Sequence, residues 1–229
     1  MATPGAVREL RVLYGGTFDP VHCGHLAVAR AARDALDTTV ALMPAADPPH
    51  RAAPGAAAPQ RVAMLELAIA GETGLALDTR ELHRDGPSWT VDTLRALRAE
   101  IGDDVAVALL VGADGFAALP TWKEWRALFA LAHFVLAERT AAAWLPELAA
   151  AVAGREAGSP DALRSAAAGR VLRLHQPLFP HSATEVRARI AAGRDWEALV
   201  PAPVAGYIRA HGLYGAARRA AADAPAGRA

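Results

Sequence analysis

Apolar positions fall into two alternating patterns along the chain: short continuous runs, and stripes at helical spacing. Leu10-Arg11-Val12-Leu13-Tyr14 is an apolar run that stops at Gly15-Gly16, which predicts a strand entering a tight turn. From Gly24 to Leu36 the apolar residues Leu26, Ala29, Ala32 and Leu36 recur at helical spacing. Thr39–Met43 is β-branched and apolar and ends at Pro44, a second strand, and the Pro- and Ala-rich residues 45–58 read as a loop. Gln60–Ala70 is amphipathic, with Val62, Leu65 and Ile69 on one stripe. Leu75–Leu82 alternates like a strand, and Val91–Ile101 reads as a helix with Thr90 as its N-cap. Val105–Val111 is an unbroken apolar run ending at Gly112, as expected of a strand buried on both faces. Trp122–Leu131 reads as a helix and His133–Ala137 as a strand. The Ala-, Gly- and Pro-rich stretch that follows carries a helix at Leu145–Val152, and Val171–Leu174 is a last strand. Ser182–Ala192 and Val204–Ala210 complete the helices.

Strands alternating with helices predict an α/β fold: a Rossmann-like doubly wound parallel sheet with helices on both faces. In such sheets ligands bind beyond the carboxyl ends of the strands, where the strand order reverses. The segments after Tyr14 and after Val111 are therefore the places to look. Residues 1–9 read as a flexible tail, 10–214 as a single domain with a variable insertion at 139–170, and 215–229 as a disordered tail.

Composition narrows the class. With 53% hydrophobic and 21% charged residues over 229 positions, the chain can bury a full core. Its 24 basic and 24 acidic side chains balance, and no basic stripe with interleaved aromatics occurs, which argues against a nucleic-acid binder. Lys123 is the only lysine, and Ala occurs 58 times. That skew fits a GC-rich genome and weakens any single Arg as a functional signal. One cysteine excludes an internal disulfide and fits a reducing compartment. No apolar run approaches the ~18 residues of a membrane span, and no secretory leader is visible, so a cytoplasmic protein with no membrane partner is expected.

The first chemical candidate is Gly15-Gly16-Thr17-Phe18-Asp19-Pro20-Val21-His22-Cys23-Gly24-His25-Leu26. Glycines let backbone N–H groups approach an anion, and a helix N-terminus adds partial positive charge. His22 and His25 share one helix face and can donate to phosphate oxygens. Their alternatives are structural histidines, or metal ligands with Cys23, for which no further partner at suitable spacing exists. A Walker A loop and a GxGxxG fingerprint are both absent. The second candidate is Ser182, Thr184 and Arg187: hydroxyls, a capped helix start and an Arg one turn in, or else an ordinary capped helix with a surface Arg. Asp114, beyond Gly112, suits a ribose hydroxyl pair or a solvated cap. Trp89 and Trp122 are either core aromatics or walls of a ring pocket.

The segment Gly15–Leu26 resembles the GGTFDPxHxGH signature of the nucleotidyltransferase superfamily, whose HxGH motif binds ATP phosphates. Pro48-Pro49-His50-Arg51, Pro87-Ser88-Trp89-Thr90-Val91-Asp92-Thr93-Leu94, Gly112-Ala113-Asp114, Leu119-Pro120-Thr121-Trp122 and Ser182-Ala183-Thr184-Glu185-Val186-Arg187 resemble motifs of the bacterial nicotinate-nucleotide adenylyltransferases, in that family's order from residue 10 to about 214. His181 and Trp89 depart from the common Ile and Tyr, and residues 139–170 match poorly.

The resemblance implies adenylyl transfer from ATP to nicotinate mononucleotide, giving deamido-NAD and pyrophosphate, with Mg2+ accompanying ATP and no metal-ligand set in the chain. It implies catalytic roles for His22, His25 and Arg187. ATP contacts are implied at Gly15, Gly16, Thr17, Phe18, Gly112, Asp114, Ser182 and Thr184, and acceptor contacts at Pro49, His50, Arg51, Ser88, Trp89, Thr90 and Trp122. The acceptor is a phosphate monoester with a second pKa of about 6, so it arrives ionised and needs no general base. The alternatives are transfer to nicotinamide mononucleotide or another phosphate acceptor, and a nucleotide-sensing module without turnover. Oligomeric state is left open, a homo-oligomer included.

Overall fold

The computed structural model describes residues 8–46, 54–84, 86–137, 144–176 and 179–216. Six strands form one parallel sheet: β1 (Leu10–Gly16), β2 (Val40–Pro44), β3 (Leu75–Leu77), β4 (Ala106–Gly112), β5 (His133–Ala137) and β6 (Val171–Leu174). Their order is β3-β2-β1-β4-β5-β6, the doubly wound arrangement. The order reverses between β1 and β4, which pair directly with Leu10 opposite Ala106 and Tyr14 opposite Leu110.

The period of two sorts the strands onto two cores. Leu10, Val12 and Tyr14 face one layer, built by α1 (Cys23–Leu36), α2 (Ala58–Ile69), α8 (Ala183–Ala191) and α9 (Ala202–His211). Leu13, Val107, Leu109 and Val111 face the other, built by α3 (Thr90–Ile101), α4 (Ala113–Ala117), α5 (Leu128–Leu131) and α6 (Pro146–Val152). β4 is buried on both faces, as its unbroken apolar run requires. Leu94 and Leu110 are completely enclosed, and each such side chain contributes roughly 1.5–3 kcal/mol.

Several boundaries differ from the sequence reading for identifiable reasons. The expected strand 75–82 ends at Leu77, because the Asp78 carboxylate accepts the Arg80 N–H at 3.0 Å and turns the chain into a 3-10 helix, Arg80–His83. Thr90 is not the N-cap of α3 but its first residue; Trp89 holds the cap position, with no side-chain cap bond. The expected helix 122–131 is broken. Trp122 is extended, Glu124 lies at φ 49°, and only a 3-10 turn at Trp125–Ala127 and α5 follow. On α2 the buried face is Arg61, Met64, Leu65 and Ala68 rather than the Val62 stripe.

The Arg8 N–H donates to Arg164 O, and Gly215 belongs to a 3-10 turn, Leu213–Gly215. Residues 1–7 and 217–229 lie outside the described residues. The described part of the expected insertion is packed into the fold. It holds α6 and α7 (Asp161–Arg164), and Leu148, Val152 and Leu163 are buried.

An arginine clamp adds to the main-chain bonds that hold that segment to the fold, such as Val107 N–H to Ala167 O. Arg98, in the last turn of α3, donates to the carbonyls of Leu131, Gly102, Val105 and Ala167 at 2.6–3.1 Å. Removing it loses five charge-assisted bonds to main-chain carbonyls. Arg98→Ala is expected to cost about 3 kcal/mol, which for a chain of this size lowers Tm by roughly 6–12 °C. Thermal unfolding followed by circular dichroism checks this; a shift under about 2 °C would mean that water replaces the clamp.

Candidate active site

The cleft lies where β1 and β4 diverge. Its floor is the pair of glycines ending β1, and its volume is about 960 Å3. At Gly16 a Cβ would stand 3.0 Å from the Phe18 ring, so a side chain there would press on that ring. Phe18 itself is buried, with its ring edge-on to Tyr14 and His25. Its ring props His25, and the residue also lines the cleft. Beneath the loop, Arg61 donates to Thr17 O at 2.8 Å and Ala46 O at 3.1 Å, tying the ends of β1 and β2 together. Burial pushes the Arg61 guanidinium below its usual pKa, and the nearby Asp19 opposes that shift.

α1 opens with two imidazoles locked to each other. His22 is the N-cap: its Nδ1 accepts the Gly24 N–H at 3.1 Å, while His25 Nδ1 accepts the His22 N–H at 3.2 Å. This is a capping box made of histidines. The rings stack with centroids 3.7 Å apart. Because each Nδ1 is an acceptor, each ring carries its proton on Nε2 and presents that group as the donor. Two N–H donors at the positive end of a 14-residue helix suit a polyphosphate.

α8 brings a second polar helix start to the cleft. Ser182 is its N-cap, accepting the Glu185 N–H at 3.3 Å. Arg187 donates to Thr184 Oγ1 at 3.4 Å and to Asp19 O at 2.6 Å, so α8 is docked on the loop that follows β1. Gly112 and Asp114 line the same cleft from the end of β4, and Asp114 is exposed in the first turn of α4.

Across the cleft stand Ser88, Trp89, Thr90 and Trp122. Ser88 Oγ accepts the Ala46 N–H at 3.3 Å. The Lys123 ammonium sits 5.8 Å from the Trp89 ring centroid and donates to Asp92 at 2.9 Å. Thus the described sequence-derived site residues converge on one cavity. Pro49, His50 and Arg51 lie outside the described residues.

Sequence reasoning missed several participants. Asp19 is buried, and its carboxylate accepts the N–H groups of Gly55 and Ala56 at 2.7 and 3.0 Å and the Tyr214 hydroxyl at 2.7 Å. Glu81 lines the cleft and accepts the Thr93 hydroxyl at 2.8 Å; burial pushes its carboxyl above the usual range. Phe179 lies over His22, with ring centroids 6.4 Å apart. Arg61 alone had a usable signal: a charge at helical spacing from buried Met64 and Leu65. Among the described residues no group of three or more His, Cys, Asp or Glu side chains could hold a metal ion, and no helix is long and apolar enough to cross a membrane.

Comparison with known proteins adds three findings. The cytidylyltransferase-like family profile matches residues 13–189. The "Probable nicotinate-nucleotide adenylyltransferase" of Stenotrophomonas maltophilia (strain K279a) is 58% identical over 215 residues, covering 90% of this chain and 97% of its own. The protein of the same name from Xylella fastidiosa (strain 9a5c) is 48% identical over the same shares. The fold is also that of Plasmodium falciparum nicotinic acid mononucleotide adenylyltransferase, solved in complex with NaAD, at a TM-score of 0.69 and 16% identity over 90% of this chain and 98% of that one.

Proposed function

Because the chain belongs to the cytidylyltransferase-like family and, within it, to the nicotinate-nucleotide adenylyltransferases, we propose that the cleft between β1 and β4 is where AMP passes from ATP to nicotinate mononucleotide. One observation carries this reading. Two anion-binding helix starts and a pair of indoles line a single cavity of about 960 Å3, so a triphosphate and an aromatic acceptor can meet inside it.

The reaction joins an acceptor phosphate oxygen to the α-phosphorus of ATP and expels pyrophosphate. The nucleophile is already ionised, so the chain need only align it and stabilise charge. His22 and His25 donate Nε2–H to the phosphates, with the α1 dipole behind them. Arg187 and the start of α8 hold the far end of the triphosphate, where leaving-group charge develops. Asp114 faces the ribose hydroxyls. Mg2+ accompanying ATP would supply neutralisation of the charge on the departing pyrophosphate, while His22, His25 and Arg187 would meet the phosphates from the protein side.

The acceptor lies against Trp89 and Trp122, whose faces suit a cationic pyridinium ring. No side chain caps α3, and since the Asp92 and Thr93 N–H groups bond Trp89 O, the N–H groups of Thr90 and Val91 serve as donors to the ring carboxylate. An amide in that place would turn its NH2 toward other donors, an arrangement costing roughly 1–3 kcal/mol. A preference of at least ~10-fold in kcat/KM for nicotinate over nicotinamide mononucleotide is expected. Pyrophosphate release with both acceptors, at equal MgATP, measures it; equal specificity constants would remove the carboxylate-reading role from α3.

A further inference from the structure

We propose that Tyr214, near the far end of the described chain, is a positioning residue for the ATP-phosphate arginine, acting on Arg187 through the buried carboxylate of Asp19. The inference rests on the reading of Arg187 as a phosphate ligand.

The geometry is that of a hub. Asp19 Oδ1 accepts the Tyr214 hydroxyl at 2.7 Å and the Ala56 N–H at 3.0 Å. Asp19 Oδ2 accepts the Gly55 N–H at 2.7 Å and stands 3.6 Å from Arg187 Nη1. That same Nη1 donates to the Asp19 backbone carbonyl at 2.6 Å. The Tyr214 ring packs closely over Gly55, where a Cβ would meet the ring at 3.1 Å. Tyr214 holds a left-handed backbone (φ 57°) inside the Leu213–Gly215 turn, which aims its hydroxyl inward. Burial and the adjacent carboxylate push its hydroxyl far above the usual range, so it remains a donor at any working pH.

The consequence is a competition for Arg187. A buried carboxylate needs its charge satisfied. Three neutral donors satisfy Asp19 in part, which leaves the guanidinium bridging to the backbone carbonyl with its other N–H groups directed elsewhere. Without the tyrosine hydroxyl, Asp19 lacks a donor, and the nearest mobile donor is Arg187. Its guanidinium then closes on the carboxylate and is lost to the triphosphate. The acceptor side, across the cleft, is untouched.

Tyr214→Phe keeps the ring and removes only the hydroxyl. It is expected to raise KM for ATP about tenfold, the scale of one bond to a charged group, while KM for nicotinate mononucleotide stays within about twofold. Leu213→Ala is the control: it loosens the same turn, since Leu213 is buried, but leaves the hydroxyl in place, so a fall in Tm without a rise in KM for ATP is expected. In an Arg187→Ala background, Tyr214→Phe should add nothing further. An unchanged KM for ATP in Tyr214→Phe, an equal rise in both turn variants, or an additive double mutant would each overturn the proposal. If Arg187→Ala itself leaves ATP binding and turnover normal, the phosphate reading of Arg187 fails instead, and that outcome is distinct from the others.

Discussion

His25→Ala is expected to lower kcat by ~10²-fold or more, the scale of removing one preorganised donor from a transition-state site. The ring is held from three sides. Its Nδ1 takes the His22 N–H, Phe18 props it at a centroid distance of 5.0 Å, and Tyr14 lies 6.2 Å away. A donor fixed this way costs no reorganisation when charge builds on the phosphates. The fold survives the change: the bond from the His22 N–H is lost, but the N-cap bond from Gly24 N–H to His22 stays and alanine is a good helix former at position 25. His22→Ala separates the two roles: it should lose comparable turnover and in addition about 1 kcal/mol of stability, the value of an N-cap. Steady-state pyrophosphate release and thermal unfolding measure both. A His25→Ala protein with wild-type kcat and native circular dichroism would falsify the assignment.

What sequence alone revealed follows from which contacts are local. β1, β4, β5 and β6 stand where their apolar runs end at Gly or Pro or change to polar residues, because burial on both faces leaves little choice of residue. β3 was drawn too long because the alternation continues past Leu77, whereas the Asp78 turn ends the strand. The 122–131 segment reads as one helix by composition. Yet Glu124 is held at φ 49°, and its carboxylate is bound by Arg95 of α3, a tertiary contact with no periodic trace.

The site divides in the same way. The histidines, hydroxyls and Arg187 are legible as a set because they cluster at helix starts, and the structure brings them to one cleft. Asp19 lies inside the glycine-rich motif, but its task depends on Tyr214, 195 residues away, and no spacing rule links them. Glu81 sits in an alternating run where an acid reads as solvent-facing, although it is buried against Thr93. Phe18 stands in the same motif and lines the cleft, but the packing of its ring against Tyr14 and His25 is a tertiary contact that the motif does not show.

Gly24→Ala is expected to abolish most activity without harming the fold. Gly24 lies between the two histidines, and its backbone is an ordinary helical one, so alanine is not excluded by φ. On propensity alone alanine gains up to about 1 kcal/mol in a helix. The obstacle is space. A Cβ at this position would stand 2.9 Å from His22 Cε1, 3.0 Å from His22 Nδ1 and 2.9 Å from Phe179 Cδ1. Atoms do not rest that close, so the His22 ring must shift and its bond from the Gly24 N–H, now 3.1 Å, must lengthen. The ring is buried, and its neighbours His25 and Phe179 leave it few directions to move. Its Nε2–H then leaves the line to the phosphates, and a misplacement on the order of 1 Å can cost about 10²-fold. The expected result is a fall of that size in kcat with Tm within roughly 3 °C of wild type, the span of about 1 kcal/mol for this chain length. Parallel kinetics and thermal unfolding decide the matter. Wild-type kcat in Gly24→Ala would mean that the His22 ring yields without consequence, and the pairing of the two imidazoles would then be a helix cap alone.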